Sequence, residues 1–181
     1  MRVTPLALGR HLEQVLAVQC RANRFDGVET AARGAVLRRR IGTPALDAVG
    51  AFRAGELVGY AYGAPLDDGW PWARHVMAEL GDAPGGGPYA GLGRPYAVLE
   101  LHVDPGSWRQ GVGRALLHRL CAPVSQRWVL LTRQRSATAA GRFYAALGFS
   151  ELGVSVGDEG YVAMAAGRAR GGPPSCPFGG R

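Results

Sequence analysis

Apolar and polar positions alternate with changing period along the chain, and each change of period marks an element. Residues 1–8 suit a short first strand. Residues 10–21 put Leu12, Val15, Leu16 and Cys20 on one side of a helix, and 23–27 break it. A second, arginine-rich helix is expected over 29–41, with Val36, Leu37 and Ile41 as its apolar stripe and Gly42, Thr43 and Pro44 ending it. Two β-prone runs, 46–53 and 56–64, are separated only by Ala54 and Gly55, which predicts a tight antiparallel hairpin.

The segment 65–95 lacks a clear period apart from a short helical stretch near 72–80, and a loop of that length is functional or disordered in most compact domains. Residues 96–104 form a strand with Val98, Glu100, His102 and Asp104 on one face and Leu99, Leu101 and Val103 on the other. A helix follows from the glycine-bearing turn 111–113 to about Cys121. Then come a buried-looking strand at 127–133, an amphipathic helix at 138–147 stopped by Gly148, and a hairpin of 149–156 with 160–166. Strand, two helices, three strands, helix, strand, helix and two strands make an α/β mixture, and its strand-helix-strand portion implies some parallel pairing.

Composition narrows this picture. The chain has 181 residues, 47% of them hydrophobic, which suits one domain with a substantial core. Its 28 glycines and 12 prolines concentrate in 82–95 and 167–181, so the expected layout is a domain over 1–166 and a flexible Gly/Pro/Arg-rich tail over 167–181. The net charge is +7, carried by 21 arginines and no lysine. These arginines are scattered and not interleaved with aromatics on one face, which argues against a nucleic-acid binder. Cys20, Cys121 and Cys176 are odd in number and far apart, without CxxC spacing, so neither a disulfide framework nor a metal site is expected. No run of 18 apolar residues or secretory segment is visible, and a cytoplasmic protein without membrane attachment is the expectation.

The segment 103–115, Val-Asp-Pro-Gly-Ser-Trp-Arg-Gln-Gly-Val-Gly-Arg-Ala, places a turn rich in backbone donors between a strand and a helix. The first N–H groups of a helix have no partner within it, and the dipole adds about half a positive charge there, so a pyrophosphate can accept their bonds. Gly111 and Gly113 allow close approach. Glycines also mark ordinary helix starts, so the turn alone does not decide its use.

Two linked motifs do more. Val103, Pro105, Gln110, Gly111, Val112 and Gly113, followed by Arg142, Phe143, Tyr144, Leu147, Gly148 and Phe149, resemble the cofactor motif and the later helix pattern of the GNAT superfamily of N-acetyltransferases. Only 96–149 carries this likeness residue by residue, and Trp108 and Arg109 depart from the usual spacer. The resemblance implies a mixed, mostly antiparallel twisted sheet of six to seven strands with about four helices and a splayed central strand pair. It implies acetyl transfer from acetyl-CoA to an amine, by direct attack in a ternary complex. The implied cofactor contacts are Leu101, His102, Val103, Trp108, Arg109, Gln110, Gly111, Val112, Gly113, Arg114 and Ala115, with Ala140 and Phe143.

An ammonium cannot attack a thioester until a base takes its proton. Glu100 beside the implied cleft is the first candidate, favoured over the other reading of a surface ion pair with an arginine because the chemistry requires some base. His102 on the same face is the second, imidazole having an ordinary pKa of ~6.5. The neighbouring-strand position used by some relatives is Thr132 here, which is no base. Tyr144 is the expected acid for the departing thiolate, a role the resemblance supplies, since a tyrosine between Phe143 and Leu147 otherwise suggests core. Trp70 and Trp72 could form an aromatic lid over the acceptor, with Asp67, Asp68, Glu79 and Asp82 as an acidic rim; a packed surface excursion is the other reading. The acceptor is expected to be a small-molecule or peptide amine, with a homodimer possible. The rival function is a non-catalytic acyl-CoA-binding sensor.

Overall fold

A computed structural model describes residues 1–43, 45–65, 75–76, 78–79, 95–124, 129–134, 138–156 and 161–166. The element order is β1 (Arg2–Pro5), α1 (Leu12–Asn23), α2 (Gly27–Ile41), β2 (Asp47–Arg53), β3 (Glu56–Pro65), β4 (Tyr96–Val103), α3 (Val112–Cys121), β5 (Val129–Gln134), α4 (Ala139–Ala145), β6 (Ser150–Val156) and β7 (Tyr161–Ala166), with short 3-10 turns at Pro105–Ser107 and Ala122–Val124. This is the expected order. Two compact units divide it: residues 1–64 with 99–123, and residues 65–98 with 124–181.

In the first unit the strand order is β1-β2-β3-β4. β1 pairs antiparallel with β2, and β2 with β3, the latter register closing at Arg53↔Glu56. Ala54 (φ 49°) and Gly55 (φ 87°) both take the left-handed region, the conformation that lets a two-residue turn follow the right-handed twist of its strands. Helix α2 begins two residues earlier than its periodicity suggests, because Asp26 accepts from the Glu29 amide while the Glu29 carboxylate accepts from the Asp26 amide.

Val15 and Val18 of α1 and Leu37 of α2 pack with Leu6, Leu8, Leu57, Tyr60 and Tyr62 in one buried cluster. Each large apolar side chain so withdrawn from water contributes about 1.5–3 kcal/mol. The expected stripe on α1 is corrected in one respect: the buried face includes Val18 and the polar Gln19, while Cys20 is only half-buried. On α3, Val112, Leu116, Leu117, Leu120 and Cys121 are buried. They come close to β3 at Gly59, where an added Cβ would stand 3.1 Å from the His102 carbonyl oxygen, 3.1 Å from Leu116 and 3.2 Å from Val112.

In the second unit the order is β4-β5-β7-β6. β4 and β5 run parallel and pair at Tyr96↔Val129 and Ala97↔Leu130, the first two residues of β4. β5 and β7 pair antiparallel along their whole lengths, and β6 pairs antiparallel with β7. Tyr96, Ala97, Val98, Leu147, Phe149 and the run Val162–Ala166 are buried there. The Thr138 hydroxyl caps α4 by accepting from the Gly141 amide. The result is the mixed, mostly antiparallel α/β architecture expected from the sequence, with seven strands and four α-helices among the described residues.

Candidate active site

The polar face of β4 is the chemical centre of the first unit. Glu100, with 15% of its side chain exposed, receives three hydrogen-bonding neighbours. Arg40 Nη1 donates to Oε1 at 3.0 Å, His102 Nε2 lies 2.6 Å from Oε2, and Gln19 Nε2 donates to Oε2 at 3.4 Å. Arg40 Nη1 also donates to the Tyr62 hydroxyl at 2.9 Å, and its guanidinium lies 5.9 Å from the centre of that ring. Tyr60 stacks on Tyr62 with ring centres 6.2 Å apart and faces His102 at 5.6 Å. Asn23 Nδ2 closes the cluster, 3.2 Å from His102 Nδ1.

Charge follows from these contacts. Burial pushes the Glu100 carboxyl up, but the hydrogen bond and charge of His102 and the charges of Arg40 and Arg33 outweigh it and hold the carboxyl below its ordinary range. Burial pushes both phenols, Tyr60 and Tyr62, well above the ordinary tyrosine value, and the Glu100 charge adds to this. Arg40 is raised despite its burial, because Tyr62 and Glu100 favour its charged form. Glu100 is therefore an ionised, enclosed carboxylate with a permanent cation against it.

The turn after β4 is the second feature. Asp104 accepts from the Gly106 amide and is paired with Arg21, while its own amide donates to the Val58 carbonyl oxygen. Arg109 (φ 57°) and Gly111 (φ 76°) take left-handed backbone, and α3 starts at Gly111 with no side-chain cap and no acidic residue in its first turn. Apart from its two chain neighbours, no described residue comes within 4 Å of where a Cβ on Gly111 would stand. An uncapped, unobstructed helix start of this kind fits the diphosphate of a CoA thioester. Arg109, Gln110, Gly111 and Arg114 are exposed, Gly113 and Ala115 half-buried, and Val112 buried at 1% exposure. Side chains tie the turn down: Arg53 Nη2 donates to Gln110 Oε1 at 2.7 Å, and Gln110 Nε2 donates to the Gly106 carbonyl oxygen at 3.0 Å. Trp108 is 52% exposed, and its indole N–H donates to the Val103 carbonyl oxygen at 2.7 Å.

Leu101, His102 and Val103 are half-buried along the end of β4. Tyr144 and Phe143 are half-buried and Ala140 exposed on α4, in the second unit. The Tyr144 ring lies 5.1 Å from Phe143 and 5.4 Å from Phe149, edge to face with both. Trp70 and Trp72, Asp67, Asp68, Asp82 and the stretch 167–181 lie outside the described residues. Neither Cys20 nor Cys121 forms a disulfide with another described residue. Among the described residues, no group of His, Cys, Asp and Glu is placed to hold a metal ion, and no helix is long and apolar enough to cross a membrane.

Gln19, Asn23, Arg40, Tyr60 and Tyr62 are members of the site that sequence reasoning missed. A signal existed for two of them. Gln19 stands four residues after Val15, and Arg40 three after Leu37, so each polar residue occupies a core-facing helical position.

Comparison with known proteins places this architecture in a family of acyl-group transfer domains. Residues 47–151 match the acetyltransferase (GNAT) domain family, and the chain belongs to that family. It is 31% identical over 117 residues to a GCN5-like protein acetyltransferase of Mycobacterium tuberculosis, a match covering 61% of this chain and 56% of that protein. The chain thus spans about half the length of the curated relative it matches. The ribosomal-protein-S18-alanine N-acetyltransferase of Escherichia coli shares the fold with a TM-score of 0.64 at 19% identity, over 94% of this chain and 96% of that one. The PaiA N-acetyltransferase of Thermoplasma acidophilum, solved in complex with coenzyme A, has a TM-score of 0.63 at 13% identity, over 93% and 100% of the two chains.

Proposed function

We propose that this protein transfers an acetyl group from acetyl-CoA to the amine of a small molecule or peptide within a ternary complex, with residues 1–166 as the acetyltransferase domain. The observation that carries the reading is the uncapped start of α3 at Gly111, inside the stretch that matches the family and in the same unit as the enclosed Glu100–His102 pair. In this reading the main-chain amides from Gln110 to Arg114 hold the diphosphate, and Leu101 to Val103 offer backbone to the pantetheine arm. Bound acetyl-CoA supplies the activated acetyl thioester. The chain's own residues remove an ammonium proton at the polar face of β4 and return one at the phenol of Tyr144, which lets the thiol leave protonated. Trp70 and Trp72 are proposed to border the acceptor.

A thiol-release assay with acetyl-CoA and a panel of amines tests the reading, with Tyr144→Phe as the diagnostic variant. Wild type should release thiol with at least one amine class. The variant should lose about 10²-fold in kcat while its calorimetric affinity for acetyl-CoA stays close to wild type. Equal turnover would remove Tyr144 from the mechanism, binding without release would mark a non-catalytic module, and absence of both binding and release would end the assignment.

A further inference from the structure

Hydrogen-bond donors and acceptors around His102 fix where its proton sits. Asn23 Nδ2 donates to the Gln19 carbonyl oxygen at 2.8 Å. A carbonyl oxygen only accepts, so the atom that Asn23 turns toward it is the amide nitrogen. The same nitrogen lies 3.2 Å from His102 Nδ1. Nδ1 therefore accepts, and the ring proton sits on Nε2, from which it donates to Glu100 Oε2 at 2.6 Å.

Glu100 is poorly arranged to be the base. Both of its oxygens already accept hydrogen bonds and its charge is countered by Arg40, and a carboxylate stabilised in its charged form has less driving force for proton removal. His102 Nδ1, by contrast, keeps a lone pair directed away from the carboxylate, toward an exposed asparagine at the end of α1.

Resting on the acetyltransferase reading above, we propose that His102 takes the acceptor's proton at Nδ1, and that Glu100 is a positioning residue that fixes the imidazole tautomer and is itself held in place by Arg40. An ammonium proton displaces the weak Asn23 contact and moves to Nδ1, leaving the nitrogen lone pair free to attack the thioester carbonyl carbon. The resulting imidazolium donates to Glu100 through Nε2 and later releases the Nδ1 proton to water, so the histidine ends the cycle neutral. Among the described residues, the charged and titratable groups around this pair include Glu100 on its own strand, Arg33 and Arg40 on α2, Tyr60 and Tyr62 on β3, Cys20 on α1, and the Arg21–Asp104 pair. Arg40 stays charged and both phenols stay protonated through neutral pH.

Two measurements on the full chain test this. Nitrogen-15 spectra of the ring-labelled wild-type protein in its neutral-imidazole form should show the proton on Nε2 and an unprotonated Nδ1; the opposite tautomer overturns the proposal without any variant having to fold. In pH profiles of kcat/KM from thiol release, wild type should show a unit-slope acidic limb. His102→Gln should lose that limb and fall by on the order of 10²-fold at neutral pH. Glu100→Gln should keep the limb, with a smaller fall in rate. Loss of the limb in Glu100→Gln with retention in His102→Gln would make Glu100 the base and overturn the inference alone. Absence of turnover in wild type with every amine would instead overturn the functional reading beneath it.

Discussion

Gly59 shows how one residue sets the spacing behind the site. Its missing side chain leaves room for the His102 carbonyl oxygen, Leu116 and Val112 at once, two of them fully buried. A glycine within a strand marks such a close approach. Gly59→Ala should therefore cost about 1–3 kcal/mol through overpacking, measured by denaturant unfolding; an unchanged midpoint would mean that β4 and α3 shift at no cost. At this scale the sequence was partly legible. Alternation along β4 put Glu100 and His102 on one face, because period 2 needs only local information. It could not say which of the two is open to a proton, since the contacts that bear on this, from Arg40, Asn23 and Gln19, span 60 to 81 residues along the chain.

At the level of elements, the β2–β3 hairpin and the turn before α3 are joined by one side chain. Arg53 is the last residue of β2, and its guanidinium reaches Gln110 Oε1 at 2.7 Å and Ser107 Oγ at 3.4 Å. Arg53→Ala should loosen the turn, raising the acetyl-CoA dissociation constant several-fold in calorimetry while leaving the pH profile of turnover in place. A pH profile altered as strongly as the affinity would show that the hairpin acts on the proton-transfer groups as well. The hairpin itself was legible, because Ala54-Gly55 allows a two-residue loop and little else. The start of α2 was not, because its capping box rests on Asp26 and Glu29, ahead of the apolar stripe Val36, Leu37 and Ile41 that periodicity registers.

For the whole molecule, charge and family agree on the kind of ligand. A net charge of +7 and an open helix start both favour a polyanionic carrier such as CoA. Calorimetry should show its affinity weakening several-fold between about 0.05 and 0.5 M salt, as screening shortens the reach of exposed charges; an affinity independent of salt would assign recognition to the neutral pantetheine and adenine portions. Element order and fold class were legible from period changes and two motifs, since these depend on local pattern. The polar cluster was not, because it is assembled from α1, α2, β3 and β4 and no single segment holds its pattern.

That dispersed origin carries a kinetic consequence. The Glu100 contacts with Arg40 and Gln19 close intervals of 60 and 81 residues, and long intervals are entropically slow to close. During refolding, a nascent chain that has completed the β2–β3 hairpin would still have Arg40 without its counter-charge. Recovery of activity on refolding is therefore expected to lag recovery of secondary structure, which would make it the stricter gauge of finished folding.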